Sequence, residues 1–496
     1  MDRITAMPRS LWELPIEIDR AAALPPFLQI VRSLSADIQR GRLRPGDRLP
    51  GSRKLAASLH VHRNTVLAAL AELIAEGWLE TTPRRGTFVS RAIGNLRGSP
   101  FSRRVALRTH VPAYLPFTLP EAPAAYRPPN LPRGTLDLSN GAPDVRLVPV
   151  WLIGRAYRRV LGLHGSALLA YGDPEGNTAL RTVLASMLAR TRGLSVGADN
   201  ILVTRGSQMA LLLAARALLR PGDAVAVEEF GYRPAWEAFR AAGATVIPVA
   251  IDRNGMDINA LKQVSRRTRL RVVYVTPHHQ YPTTVTLKAA RRLALLAFAR
   301  SERMAIIEDD YDHEFHYEGR PVLPLASTDY EGLVVYIGTL SKILAPGLRI
   351  GYIVAPRAVL RNITAIRSLL DIQGDLATEA AVATLIEDGE LERHVARVRR
   401  VYAHRREILA SSLRQTFGED VAFTLPPGGM ALWVRLRMPV NVDGWARRSV
   451  QYGVSWYTGQ RYAFDEKPKP FARFSFAWLN ERELPEAVRR MAAARP

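Results

Sequence analysis

Eight prolines fall within residues 91–133, and over that stretch the apolar residues keep neither a helical nor a strand period. Proline fixes φ and removes a backbone donor, so this segment cannot be a helix interior or a central strand. The chain is thereby divided into two pieces, each of which must bury a core of its own. An extended linker of this length reaches roughly 130 Å at ~3.1 Å per residue, so the pieces need not touch. The expected domains are residues 12–90 and 134–496, with the proline-rich linker between them. At 496 residues the chain exceeds what one ordinary core accommodates, which agrees with that division.

In the smaller piece, residues 26–40 place Phe27, Ile30, Val31, Leu34 and Ile38 at helical spacing. A short helix over 52–59 with Ser52 as its cap, a tight turn at 60–62, and a second helix over 64–76 ended by Gly77 follow. That spacing is a helix-turn-helix, whose second helix can enter a major groove. Two strands, 79–82 and 87–89, then form a hairpin around Pro83-Arg84-Arg85-Gly86. Arg63, Asn64 and Thr65 open the second helix with side chains suited to base edges and phosphates of double-stranded DNA. Arg53 and Lys54 on the preceding helix can hold the backbone. Arg84, Arg85 and Gly86 would form a wing, with arginines on a glycine-permitted turn reaching a groove. The bland alternative is a protein-interaction module with solvated arginines. The net charge of +22 is compatible with phosphate binding, but it is spread along the chain and decides little.

In the larger piece, short β-branched runs at 201–204, 224–227, 245–249, 272–276, 305–307 and 333–337 alternate with helical segments such as 208–219 and 287–300. The order describes an α/β fold with a mostly parallel sheet. Beyond about Pro356 the pattern predicts two long arginine-rich helices, then strands at 431–437 and 471–476 in a smaller C-terminal α/β domain. Only six lysines occur, against 62 arginines. A lysine inside an apolar run therefore needs its own reason, and Lys342 follows VVYIGTLS. Arginine cannot form a Schiff base; a deprotonated lysine can.

Pyridoxal phosphate asks a protein for that amine, an anion at its ring nitrogen, donors for its phosphate and an aromatic over its ring. Asp309, at the end of the run MAIIED, is placed for the ring nitrogen, and Tyr311 for the phenolic oxygen. Ser207 and Gln208 open a helix after a strand, and Thr339, Ser341 and Arg349 flank the lysine with hydroxyls and a guanidinium; these suit a phosphate. Tyr232 is the stacking candidate. EDDYDHEFH at 308–316 also has the composition of a metal site, through Asp309, Asp310, Asp312, His313 and His316. No second carboxylate–histidine cluster is visible in the sequence, so no metal is expected.

Residues 25–89 resemble the GntR family of winged-helix repressors, in the turn GRLRPGDRLP, the helix pair RKLAASLHVHRNTV, the exit AEGWLE and the strand GTFV. Gly51 departs from the serine or proline more often found there. From about Leu136 the chain resembles fold-type I aminotransferases: NGAPD at 140–144, YGDPEGNTALR at 171–181, TRGSQMAL, TPHHQYPTT, IIEDDYD, GTLSKILAPGLRIGY and FARFSF. The combination is similar to the MocR/GabR family of transcription regulators. The resemblance implies a multidomain protein, with an α+β winged helix followed by an aminotransferase-like domain, and pyridoxal phosphate on Lys342. It also implies a head-to-tail homodimer with exchanged reader domains, in which Tyr171 comes from the partner to the phosphate. Arg473 would grip a substrate-like carboxylate, with Gly141 beside it. The loop ending Pro282-Thr283-Thr284 lacks the family's usual glycine, which leaves open whether Gln280 or Tyr281 contacts the ring.

No run approaches 18 apolar residues and the first residues show no signal-peptide core, so a cytoplasmic location without membrane contact is expected. The absence of cysteine excludes disulfides, thiolate metal sites and cysteine nucleophiles. The function expected is a regulator that binds operator DNA and senses a small amino compound by external aldimine formation in exchange with Lys342. Two alternatives stand beside it: a regulator that senses pyridoxal phosphate itself, and an active aminotransferase carrying a DNA-binding domain.

Overall fold

The computed structural model describes residues 16–93, 117–119, 130–139, 141–319, 322–437 and 441–496. The chain separates into two compact units, Met1–Leu119 and Pro120–Pro496. Most of the expected linker, the start of the expected first domain, and Asn140 lie outside the described residues.

The first unit holds helices Pro26–Gln39, Ser52–Ser58 and Arg63–Ala75, then strands Leu79–Thr82 and Gly86–Val89. Its core gathers Ile30, Val31, Leu34, Leu55, Val66, Leu70, Leu73 and Val89, the apolar positions that the helical spacing marks out. The strands pair antiparallel from Leu79↔Val89 to Thr82↔Gly86. Gly86 has φ +115°, where a side chain would be strained and would also crowd the Arg48 guanidinium. Two caps differ from expectation. Gly51 precedes the short helix, and Ser52 is its first residue. The second helix starts at Arg63, because the His62 imidazole accepts the Asn64 backbone N–H. Buried Asp37 takes the Arg42 guanidinium, which explains a carboxylate on an otherwise apolar helix face.

The second unit is built on a seven-stranded sheet. From one edge the order is Ile201–Thr204, Gly351–Val354, Val334–Thr339, Ala305–Asp310, Leu270–Val275, Ala224–Glu228 and Thr245–Val249. All run parallel except Gly351–Val354, which is antiparallel to both neighbours. Apart from the edge strand Thr245–Val249, the strands are largely buried on both faces, as a sheet covered by crossover helices requires. The six expected strands are present. The antiparallel seventh was missed because its four residues, GYIV, begin with a glycine and show no alternation.

Between Pro356 and the strand Ala431–Leu436 lie the two arginine-rich helices, Arg357–Leu370 and Glu390–Phe417, with a third, Leu376–Glu387, between them. The middle one carries no arginine and is almost wholly buried, which is why arginine richness did not reveal it. The smaller sheet orders Val421–Ala422, Ala431–Leu436, Phe471–Ser475 and Tyr457–Thr458, all antiparallel. Leu136–Asp137 pairs with Val454–Ser455, so the start of this unit is fastened to its small C-terminal domain. Among the described residues no helix is long and apolar enough to cross a membrane.

Candidate functional site

On the first unit, Arg53, Lys54, Arg63, Asn64, Arg84 and Arg85 are all exposed, and Thr65 and Gly86 half-exposed. Arg63 Nε donates to Ser52 Oγ at 3.3 Å, tying the start of the second helix to the first. Arg84, at φ +63°, occupies the turn between the wing strands. The expected DNA-facing residues thus keep their charge in water, on helix starts and a hairpin tip, where phosphates can reach it.

In the second unit the carboxyl ends of the parallel strands open onto one crevice, the usual ligand position in such sheets. Asp309, next to last in its strand, pairs in register with Ile337. It is buried; its Oδ2 accepts the Tyr274 hydroxyl at 2.8 Å, and its Oδ1 has no partner among the described residues. Burial pushes its carboxyl up to about 7; Asp310 and Asp312 add to the rise and Tyr274 opposes it. An anion so poorly compensated fits a cationic ring nitrogen at its free oxygen. Asp310 behaves oppositely: despite burial, His313, Arg192 and His278 hold it below the usual carboxylate range.

Lys342 lies in the loop after Val334–Thr339, and its Nζ donates to Gly141 O at 2.8 Å. Removal from water, with the Arg473 charge, lowers its amine to about 8. Arg473 itself sits on strand Phe471–Ser475, only 2% exposed, with Nε and Nη1 lacking partners among the described residues. Its guanidinium stands 4.9 Å from the Tyr281 ring. A side chain on Gly141 would come within 3.7 Å of Arg473 Nη1. Lys342, Gly141 and Arg473, three sites far apart in sequence, therefore meet. A desolvated guanidinium with unused donors is costly unless an anion completes it.

The residues expected at the phosphate come from three segments of the chain. Helix Ser207–Leu218 starts after Gly206, whose φ of +80° and neighbouring Arg349 exclude a side chain. Thr339 Oγ1 accepts the Ser341 N–H at 3.1 Å, and Ser341 Oγ is without a partner among the described residues. Gln208 gives its amide to Pro234 O at 3.0 Å, leaving Oε1 free among the described residues; an oxygen there serves no phosphate directly. Arg349 donates to Arg205 O at 3.0 Å and is exposed. Tyr171 is 85% exposed.

Tyr232, Tyr311 and Tyr462 each meet the edge or face of Tyr281, with centroids 5.5, 5.9 and 5.6 Å apart. Tyr311, expected at the ring oxygen, here donates to His279 O at 3.0 Å. One expectation is corrected. Gln280 donates to Phe230 O and Tyr281 O and accepts from Thr283 N and Oγ1, at 2.6–3.2 Å. Its amide is saturated within its own loop and has no donor left for a cofactor ring. Tyr281, the loop's other candidate, lies under the Arg473 guanidinium. Thr284, where the family's glycine is absent, holds φ +62°, a left-handed conformation that suits glycine.

Sequence reasoning missed several buried polar groups here. Glu228 ends the strand Ala224–Glu228, accepts the Thr276 hydroxyl at 2.8 Å, and is pushed by burial up to about 7. Like Asp309, it is an acid terminating an apolar run, and that pattern was the available signal. His278 and His279 lie against His313 and His316, an association the paired HH of TPHHQYPTT alone hinted at. With a reactive amine, an under-compensated anion, a helix N-terminus and an aromatic cluster around one crevice, the residues present fit pyridoxal phosphate.

Comparison with known proteins agrees at both ends of the chain. Residues 133–491 match the model of the aminotransferase class I and II family, and residues 26–89 that of the bacterial regulatory proteins of the gntR family. The HTH-type transcriptional regulator TauR of Rhodobacter capsulatus is 32% identical over 462 residues, 92% of this chain and 93% of the relative. The probable rhizopine catabolism regulatory protein MocR of Rhizobium meliloti is 28% identical over 487 residues, 96% and 95% of the two chains. Among solved structures, LysN, an alpha-aminoadipate aminotransferase from Thermus thermophilus complexed with N-(5'-phosphopyridoxyl)-L-leucine, superposes with a TM-score of 0.68 at 29% identity. That likeness covers 73% of this chain and 92% of LysN.

Proposed function

The chain belongs to the aminotransferase class I and II family, joined to a gntR-family domain as in MocR-type DNA-binding regulators, and from that premise we propose that it senses a small amino compound in its cofactor pocket. Pyridoxal phosphate is the cofactor, and when bound it supplies an aldehyde carbon open to primary amines. Lys342 provides the resident amine, poised near neutrality so that an effector amine can compete with it. Asp309 holds the ring nitrogen. Ser207, Thr339, Ser341 and Arg349 hold the phosphate, Gln208 braces that helix start, and Tyr232, Tyr281 and Tyr311 wall the ring.

The observation that carries the reading is the buried Arg473, whose unused donors adjoin Gly141 and the Lys342 amine. That arrangement suits an effector with an amino group at one end and a carboxylate or sulfonate at the other. Exposed Trp151, Leu163, Leu169 and Leu369 support pairing with a second copy, head-to-tail, which would bring the partner subunit's Tyr171 to the phosphate. Effector binding would then change the hold of the exposed winged-helix residues on operator DNA.

Operator affinity measured with and without amino acids and aminosulfonates tests this. We expect a shift in the parent protein and none in Lys342→Ala; a Lys342→Ala protein that responds normally contradicts the proposal. A second reading, turnover of the amine, draws on the same near-neutral lysine, which suits proton transfer. Multiple turnovers with a keto acid acceptor would favour it.

A further inference from the structure

We infer that His278, His279 and His316 form a binding site for one divalent transition-metal ion of the zinc class. The three side chains come from two segments, TPHHQ and DHEFH, that the fold brings together. One nitrogen from each lies within 4.8 Å of the others, and two of the three residues are buried. Neither nitrogen of His278 has a hydrogen-bond partner among the described residues, nor do His279 Nε2 and His316 Nδ1. Buried polar atoms are ordinarily satisfied, so four such atoms at one place call for a common partner. Tetrahedral zinc with nitrogen at 2.0–2.1 Å needs ligands about 3.3 Å apart, a contraction that small side-chain rotations supply.

The surroundings are those of a held ligand set. His279 Nδ1 pairs with Asp312 Oδ1 at 2.8 Å, which leaves Nε2 as the nitrogen for the cluster. Gly428 leaves space beside it, since a side chain there would come within 2.6 Å of His279 Nε2. His313 stacks on His278 with centroids 4.5 Å apart, and its Nδ1 stands 3.1 Å from Asp310 Oδ2. The three side chains whose donor atoms gather here are all imidazoles. Such a set selects zinc, cobalt, nickel or copper over magnesium or calcium. The expectation of no metal rested on a missing second cluster, and the fold supplies it.

The test uses the untagged full-length chain, stripped with chelator and titrated with Zn²⁺ by calorimetry, with metal content measured after gel filtration. We expect one Zn²⁺ per chain, no uptake of Mg²⁺, and a melting temperature raised by Zn²⁺. His316→Ala, a half-buried position chosen because it should fold, should lose the retained ion and the melting shift. Asp312→Asn should weaken binding about 10–100-fold. Absence of stoichiometric Zn²⁺ in the parent, or equal binding by folded His316→Ala, overturns the inference. His278→Gln, checked for folding by circular dichroism, gives a second independent reading of the same kind.

Discussion

The winged helix keeps Arg53, Arg63 and Arg84 in water outside a dry core of Leu34, Val66 and Leu73, whereas the cofactor crevice holds Asp309, Lys342 and Arg473 among strand ends, largely away from solvent. The same kinds of charge do different work in the two places. Exposed charges act through many weak contacts and are screened by salt. Desolvated charges shift their pKa values and depend strongly on each partner. One region suits attachment to a polyanion, the other the holding of a cofactor.

If this contrast holds, pH should act on the crevice first. Only the unprotonated Lys342 amine can attack an aldehyde, and its pKa is lowered to about 8. Cofactor capture by the stripped protein should therefore rise roughly fiftyfold between about pH 6 and about pH 8 and then flatten. A rate still climbing about tenfold between about pH 8 and about pH 9 would mark an ordinary amine and erase the contrast. Asp309→Ala removes the ring-nitrogen anion, and cofactor affinity should fall by about 1.5–3 kcal/mol, the value of a hydrogen bond to a charged group. An unchanged dissociation constant would place the anion elsewhere.

On the winged helix, Arg63→Ala should weaken operator binding by about 1–3 kcal/mol if it reads a base edge. The loss should be independent of effector, and unaltered affinity would remove Arg63 from the interface. The smallest effect concerns Thr284. Glycine at its φ of +62° should relieve left-handed strain of about 1 kcal/mol, partly offset by the added freedom of the unfolded chain. A destabilised Thr284→Gly protein would show that the threonine contacts outweigh the strain.

The two regions also differed in how far the sequence disclosed them. In the winged helix, local signals suffice: the periodicity of Ile30, Val31 and Leu34 and the punctuation at Gly77 and Gly86 place each element within a residue or two. In the crevice, lysine scarcity singled out Lys342, and an acid ending an apolar run singled out Asp309. What stayed hidden depended on distant packing. Gln280 is saturated by backbone groups of its own loop and of Phe230, and no spacing rule announces that. The short antiparallel strand Gly351–Val354 is specified by its neighbours on both sides rather than by its own residues. The gathering of His278 and His279 with His316 joins segments that sequence leaves apart.

The most direct measurement is borohydride trapping of the cofactor-loaded protein followed by peptide mapping. Six lysines are available, at 54, 262, 288, 342, 467 and 469. The account predicts cofactor mass on the peptide bearing Lys342 alone, and displacement of that label when an effector amine is present before trapping. Label spread over the exposed lysines, or none on Lys342, would contradict it.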